Sequence, residues 1–289
     1  KCTVSQTVPS QRVDYAVQTF SDQQLCTAID PSDRGFLYGD GVFSSVRVRE
    51  GLPRLWSHHL DRLQQAQQRL GLQFDLDLLS QQAFEHAEQL QHGTLKIIVS
   101  RGVGQRGYLP PEQAAVVYFQ LFPSVVARLE PQADGLFVAD RIASGVLHAP
   151  RLGHLMPVLA GLKTLNRLEQ VLLRRALAQT TWPEGLVLDL DGVLVEGVQS
   201  NCWFWRHGQW QTPCLQRAGI AGVMRAEIMQ RMQQRQIGFS QVRLHADELG
   251  QIESLFFCNS LTGILVVDSF DGRPLQTKLV DRLLSDLLS

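Results

Sequence analysis

The sequence has almost no charge imbalance, no long apolar run and no cysteine framework. Among 289 residues, 27 Lys and Arg stand against 28 Asp and Glu, a formal net charge of -1. That balance creates no field to draw the chain to nucleic acid or an anionic membrane, and neither is expected as a partner. No apolar run approaches the roughly 18 residues that a membrane span needs, and the opening KCTVSQTVPSQRVD has no signal-peptide core. The chain begins at Lys1 rather than Met, so its first residues read as a trimmed extension. The five cysteines, Cys2, Cys26, Cys202, Cys214 and Cys258, are scattered, odd in number and without C-x-x-C spacing. This argues against disulfide scaffolds and zinc sites, implies no metal, and suits a reducing cytoplasm. Internal repeats and low-complexity tracts are missing too. What remains is 44% hydrophobic and 19% charged residues, the composition of a globular chain long enough for one large domain or two ordinary ones.

The pattern mixes strands and helices without strict alternation, which reads as two α+β domains, residues 1–123 and 124–289. In DGVFSSVRVREGLPRLW, alternating apolar residues flank Gly51, predicting two strands and a turn. HHLDRLQQAQQRLGL predicts a helix stopping at Gly71, and a second helix covers 76–90. TLKIIVS and AAVVYFQLF read as paired strands. The proline-containing FPSVVARLEPQADG is the expected crossover between domains. In the second half, LFVADRI reads as a strand, and Leu165, Leu168, Val171 and Leu172 as a helix stripe. Hairpins are expected at Asp191-Gly192 and His207-Gly208. A helix over 222–235, short strands VRLHA, SLFFC and ILVVDS, and a helix with Leu279, Leu283 and Leu287 complete the chain.

Two motifs point to chemistry that their context denies. Gly102, Gly104 and Gly107 form a literal G-x-G-x-x-G after a strand. A dinucleotide fingerprint must turn into a helix, whereas this loop runs into Pro110-Pro111, which cannot continue one. LVLDLDGVL mimics the D-x-D-G loop of haloacid-dehalogenase-like phosphatases. It lies two-thirds along the chain and continues as a strand, so it reads as a hairpin turn with solvent-facing aspartates.

A different set of residues is more coherent. A lone lysine is usually a solvated charge, but Lys163 stands among Leu159, Leu162 and Leu165. A lysine in apolar surroundings has a depressed pKa and can form Schiff bases. Glu196 follows at the end of a strand, where a buried acid needs a cationic partner. AGIAGVMR offers backbone N–H groups at a helix start, a phosphate site. Arg62, which in isolation reads as an exposed helix charge, can supply a fixed positive charge. Together these are the requirements of pyridoxal phosphate. His58 and His59 have no pattern that points to metal or base chemistry and read as structural.

In order, DRGFLYGDGVF, HHLDRL, LDLDGVLVEGVQSN, TPCLQRAGIAGVMR and FFCNS resemble the fold-type IV pyridoxal-phosphate enzymes, nearly the whole chain from about Asp33 onward. That superfamily holds branched-chain and D-amino-acid aminotransferases and 4-amino-4-deoxychorismate lyases. GLKTLNRLEQVLLRRAL and SRGVGQRGY resemble the lyase branch. Arg167 stands where the aminotransferases usually have a tyrosine, and Ser44 where they have a glutamate. The resemblance implies a two-domain α+β fold, usually homodimeric, that converts aminodeoxychorismate to 4-aminobenzoate and pyruvate in folate synthesis; the alternative is an aminotransferase on the same scaffold. It also implies that Lys163 forms the Schiff base with the cofactor and acts as the catalytic base, and that Glu196 bonds the pyridine nitrogen. Arg62, the amides of Val223 and Met224, and Ser260 bind the phosphate. Arg106 and Tyr108 of the glycine loop, with Tyr38, bind the substrate, whose two carboxylates suit a guanidinium.

Overall fold

The computed structural model describes residues 18–124, 136 and 138–288. The expected N-terminal extension and nearly all of the crossover segment lie outside the described residues. The chain folds as mixed α+β. Its first half is one antiparallel sheet, in the order β2-β1-β6-β5-β3-β4. The strands are β1 (Gln18–Ser21), β2 (Gln24–Leu25), β3 (Gly41–Arg49), β4 (Leu52–Pro53), β5 (Gly93–Ser100) and β6 (Val116–Pro123). Glu50 and Gly51 both have positive φ between β3 and β4, the backbone that a tight hairpin requires. A short helix α1 (Arg34–Tyr38), unforeseen in the sequence, is capped by the Asp33 carboxylate on the Phe36 N–H.

Helices α2 (Trp56–Leu70) and α3 (Leu76–Leu90) cover this sheet. On α2 the buried residues His59, Leu63 and Ala66 recur at helical spacing. Leu63 and Ala66 pack into a core with Val46, Leu95, Ile97 and Phe119. Truncating a buried leucine such as Leu63 would cost about 2–5 kcal/mol. Arg62 lies just off that stripe, so packing of Leu63 fixes the direction from which the guanidinium emerges.

The second half holds two sheets. A three-stranded sheet joins β8 (Val146–Leu152), β9 (Leu186–Asp189) and β10 (Leu194–Gly197). A seven-stranded sheet runs β13-β12-β11-β14-β15-β16, with β7 (Val138–Ser144) on β15. Its other strands are β11 (Asn201–Arg206), β12 (Gln209–Pro213), β13 (Phe239–Val242), β14 (Ser254–Asn259), β15 (Gly263–Phe270) and β16 (Arg273–Pro274). Helices α4 (Leu168–Leu177), α5 (Val223–Gln234) and α6 (Thr277–Leu288) pack on these sheets. His207 and Gly208 make the expected turn, both at positive φ.

Three expectations need correction. The stripe Leu168, Val171 and Leu172 is exposed, and Leu165 precedes the helix; α4 instead buries Leu173 and Leu177. Two stripes of the same period coexist on α4, and only tertiary packing selects one. Asp189 at the Asp-Gly hairpin does not face solvent. It is 2% exposed, and its Oδ1 accepts the N–H groups of Asp191 and Val193, a turn that satisfies itself internally. VRLHA is not a continuous strand; β13 ends at Val242, His245 makes only an isolated bridge to Val193, and a 3-10 helix spans Ala246–Gln251.

Candidate active site

A cavity of about 310 Å³ opens where the two halves meet, walled by β3, α2, the segment before α4, β10 and the start of α5. Lys163 reaches it because its segment docks on the first sheet. Beyond the short β4, the Gly41–Phe43 end of β3 has a free edge, and residues 163–165 fill it. The Phe43 N–H donates to the Lys163 carbonyl at 2.9 Å, and the Leu165 N–H to the Gly41 carbonyl at 3.0 Å. The Lys163 ammonium lies 4.6 Å from the Phe43 ring centroid, within cation–π range. Among the described residues Nζ has no hydrogen-bond partner. Burial foremost, then repulsion from Arg62 and Arg167, lowers its pKa to about 8, against the pull of Glu196.

Glu196 sits on β10 where the register with β9 shifts. Its Oε2 accepts the Ile220 N–H at 2.9 Å and the Asn201 amide at 3.4 Å. Burial pushes the carboxyl up to about 7, although the Ile220 bond and Lys163 favour its ionised form. A cation placed beside the carboxylate would reverse that shift, as expected of a protonated ring nitrogen.

The third corner is cationic. Arg62 Nη2 donates to the Ala221 carbonyl at 2.9 Å and Nη1 to Ser44 Oγ at 3.3 Å. Among the described residues its buried Nε has no hydrogen-bond partner. Burial lowers the guanidinium to about 10, so it is still charged near neutral pH. Ser44 Oγ also lies 2.7 Å from Nδ1 of the buried His59. Burial, then Arg62, holds this imidazole well below its usual range and therefore neutral. Helix α5 begins at Val223 behind Gly222, which supplies no side-chain cap, leaving first-turn N–H groups and the helix dipole for an anion. A Cβ at Gly222 would collide with Asn201 Oδ1, which accepts the Gly222 N–H.

An orphaned guanidinium N–H, an uncapped helix start, a desolvated amine and a buried acid fit pyridoxal phosphate. The residues that would hold it are Arg62 and the α5 amides at the phosphate, Glu196 at the ring nitrogen and Lys163 at the aldehyde carbon.

Of the residues singled out in the sequence, Lys163, Glu196, Arg62, Val223 and Ser260 line this cavity. The Met224 side chain is buried in the core with Trp203 and Phe256, leaving only its backbone amide for a ligand. Tyr38 does not share the cavity, contrary to expectation. It lines a neighbouring one of about 450 Å³, which Arg167 also borders. Arg106 and Tyr108 line neither cavity, because their loop is fastened to Arg34 instead. Phe43 and Asn259 also line the cavity without having been expected there. Phe43 lies in the quoted GVFSS motif, and Asn259 in CNS, where its Oδ1 accepts the N–H groups of Leu261 and Thr262 and shapes the rim.

The chain as a whole is similar to known proteins. The family description "Amino-transferase class IV" matches residues 41–270. The crystal structure of 4-amino-4-deoxychorismate lyase from Pseudomonas aeruginosa superposes with a TM-score of 0.81 at 35% identity, covering 94% of this chain and 100% of that one. Aminodeoxychorismate lyase of Vibrio harveyi is 29% identical over 248 residues, 85% of this chain and 89% of the relative. A putative branched-chain-amino-acid aminotransferase of Methanocaldococcus jannaschii is 26% identical over 262 residues, 88% and 87% of the two chains. The chain belongs to the amino-transferase class IV family, the fold-type IV pyridoxal-phosphate enzymes that its motifs resemble.

Proposed function

We propose that the protein is a pyridoxal-phosphate-dependent lyase that splits 4-amino-4-deoxychorismate into 4-aminobenzoate and pyruvate, a step of folate synthesis in the cytoplasm. The observation that carries this reading is Arg167, a guanidinium in the cavity wall with Lys163. Arg167 Nη2 is braced by Thr164 Oγ at 2.9 Å and Nε by the Asn166 carbonyl. A cation at this place favours a substrate with carboxylates to spare. The lyase relatives support the same choice.

Bound pyridoxal phosphate supplies a carbonyl that captures the substrate amine and a ring that withdraws electrons from the adjacent C–H bond. The protein's residues do the rest. Arg62 and the α5 amides anchor the phosphate, and the Glu196 carboxylate holds a proton on the ring nitrogen. Lys163, whose amine titrates near 8, takes the C4 proton of the substrate as general base. The C–O bond to the enolpyruvyl group then breaks, the six-membered ring becomes aromatic, and a proton taken up at the enolpyruvate carbon gives pyruvate.

Under this reading residues 1–123 and 124–289 are two domains meeting at the cavity, and the enzyme is a homodimer. Arg106 and Tyr108 bind substrate in the partner's cavity, since they do not line their own. Two features support the dimer. Arg106 is exposed, and among the described residues its guanidinium has no hydrogen-bond or ion-pair partner. Leu168, Val171 and Leu172, all more than 40% exposed, give α4 an apolar face for a second copy to cover.

The test is product analysis with reconstituted enzyme and enzymatically made aminodeoxychorismate. Equal amounts of pyruvate and 4-aminobenzoate, with no amino acceptor present, are expected. If neither forms, and an amino acid with 2-oxoglutarate gives glutamate, the enzyme is an aminotransferase on this scaffold.

A further inference from the structure

We propose that Arg34 is the positioning residue of the substrate loop: its buried guanidinium fixes the backbone of Gly107, Tyr108 and Leu109 and so sets where Arg106 and Tyr108 stand. This rests on the reading that the loop contacts the substrate carboxylates.

Among the described residues, the backbone at 105–112 makes no hydrogen bond to other backbone. Three consecutive carbonyls of this stretch go to one side chain. Arg34 Nη1 donates to the Gly107 carbonyl at 2.9 Å and to that of Leu109 at 3.4 Å, and Nη2 donates to the Tyr108 carbonyl at 2.9 Å. Arg34 itself is 3% exposed. Its Nε donates to Asp40 at 2.9 Å, so all three nitrogens are engaged. Asp40 in turn accepts from Arg101 Nε. The remaining donors of Arg101 go to the Leu70 and Gly71 carbonyls at the end of α2, the helix that carries Arg62.

Two arginines on one carboxylate leave an excess positive charge, and the five carbonyl oxygens of residues 70, 71 and 107–109 compensate it. The loop's path is thus part of the electrostatic solution for burying Arg34. Tyr38 completes the clamp. Its ring centroid is 5.0 Å from the Arg34 guanidinium carbon and 5.5 Å from the Tyr108 ring centroid. Gly104 leaves room for the arginine stem, since a Cβ there would stand 2.7 Å from Arg34 Cδ. The outcome is an exposed Arg106 on a backbone held from within, which lowers the ordering cost of gripping a carboxylate.

The test is a double-mutant cycle on the reconstituted enzyme with aminodeoxychorismate, using Arg34→Lys, Arg106→Gln and the double variant. Lysine keeps the charge but not the planar fork. Arg34→Lys should raise KM about tenfold, change kcat less than about threefold, and leave the cofactor's absorbance and affinity as in the wild type. In the Arg106→Gln background it should add less than about twofold. Should Arg34→Lys fail to fold, Gly104→Ala, which presses on the arginine stem without removing charge, replaces it in the same cycle with a smaller KM effect. Multiplicative effects, or a loss in kcat or cofactor affinity equal to the rise in KM, would overturn the inference. If Arg106→Gln raises KM and the clamp variant does not, Arg34 alone loses its role. If Arg106→Gln leaves KM unchanged, the substrate-loop reading falls, and the inference with it.

Discussion

Two buried clusters of charge stand near each other in this protein and differ in how well they are satisfied. Around Asp40, Arg34 and Arg101 place every guanidinium nitrogen on a carboxylate or carbonyl oxygen. Around Lys163, groups are left wanting: the amine has no hydrogen-bond partner among the described residues, Arg62 Nε is orphaned, and burial pushes Glu196 up to about 7. A satisfied cluster stabilises a backbone path, whereas an unsatisfied one stores desolvation cost that a ligand can relieve. The difference separates scaffold from active site without reference to any relative.

Several variants would break or sharpen that contrast. The largest effect belongs to Lys163→Ala, which should abolish turnover, a loss of at least about 10²–10⁴-fold for a missing base alone. Appreciable steady-state lyase activity in this variant would refute the role given to Lys163. Next is Asp40→Asn, which leaves two guanidinium groups without their counter-charge. A loss of about 3 kcal/mol in unfolding free energy, read by denaturant titration, is expected.

The pH dependence of stability in the cofactor-free protein distinguishes the clusters more finely. Glu196 titrates near 7 folded and near 4.5 unfolded. Between those values the folded state binds the extra proton, so stability falls as pH rises through the window. Lys163 titrates near 8 folded and near 10.5 unfolded. There the unfolded chain binds the extra proton, and stability recovers as pH rises from about 8. Thermal melts of apoprotein should show both limbs, Glu196→Gln should lose the falling one and Lys163→Met the rising one. The smallest expected effect is that of Arg167→Gln. Removing a repelling cation raises the Lys163 pKa, so labelling of the apoprotein by an amine-directed reagent should shift to higher pH. An unshifted profile would show that Arg167 does not act on the amine.

Several residues that line the cavity were legible in order along the chain, since Lys163, Glu196, Arg62, the α5 start and Ser260 lie in short motifs that resemble those of the fold-type IV enzymes. A helix start exposes N–H groups whatever it packs against, and an Asp-Gly or His-Gly pair turns a hairpin from local backbone preference alone. The errors arose where an outcome depends on what lies across the fold. Asp189 looks like a surface turn residue, and is buried with its carboxylate on the N–H groups of Asp191 and Val193 and beside His154. Leu168, Val171 and Leu172 have the right period for a core and lie on the wrong side of α4. Tyr38 and Tyr108 sit in motifs of the pocket yet pack against each other, because the Arg34 clamp sets their place.

The sequence by itself determined the mixed α+β character and the main hairpins and helices, because each rests on residue types at short, fixed spacings, and its ordered motifs carried the resemblance that implied the family and the cofactor. Only the tertiary structure decided that the segment of Lys163 completes the edge of β3, that Arg62 meets the start of α5, and that the glycine loop hangs from Arg34 outside its own chain's cavity. Those placements depend on burial and on contacts between residues far apart in the chain, where desolvation raises the cost of every unpaired charge and so selects the partners.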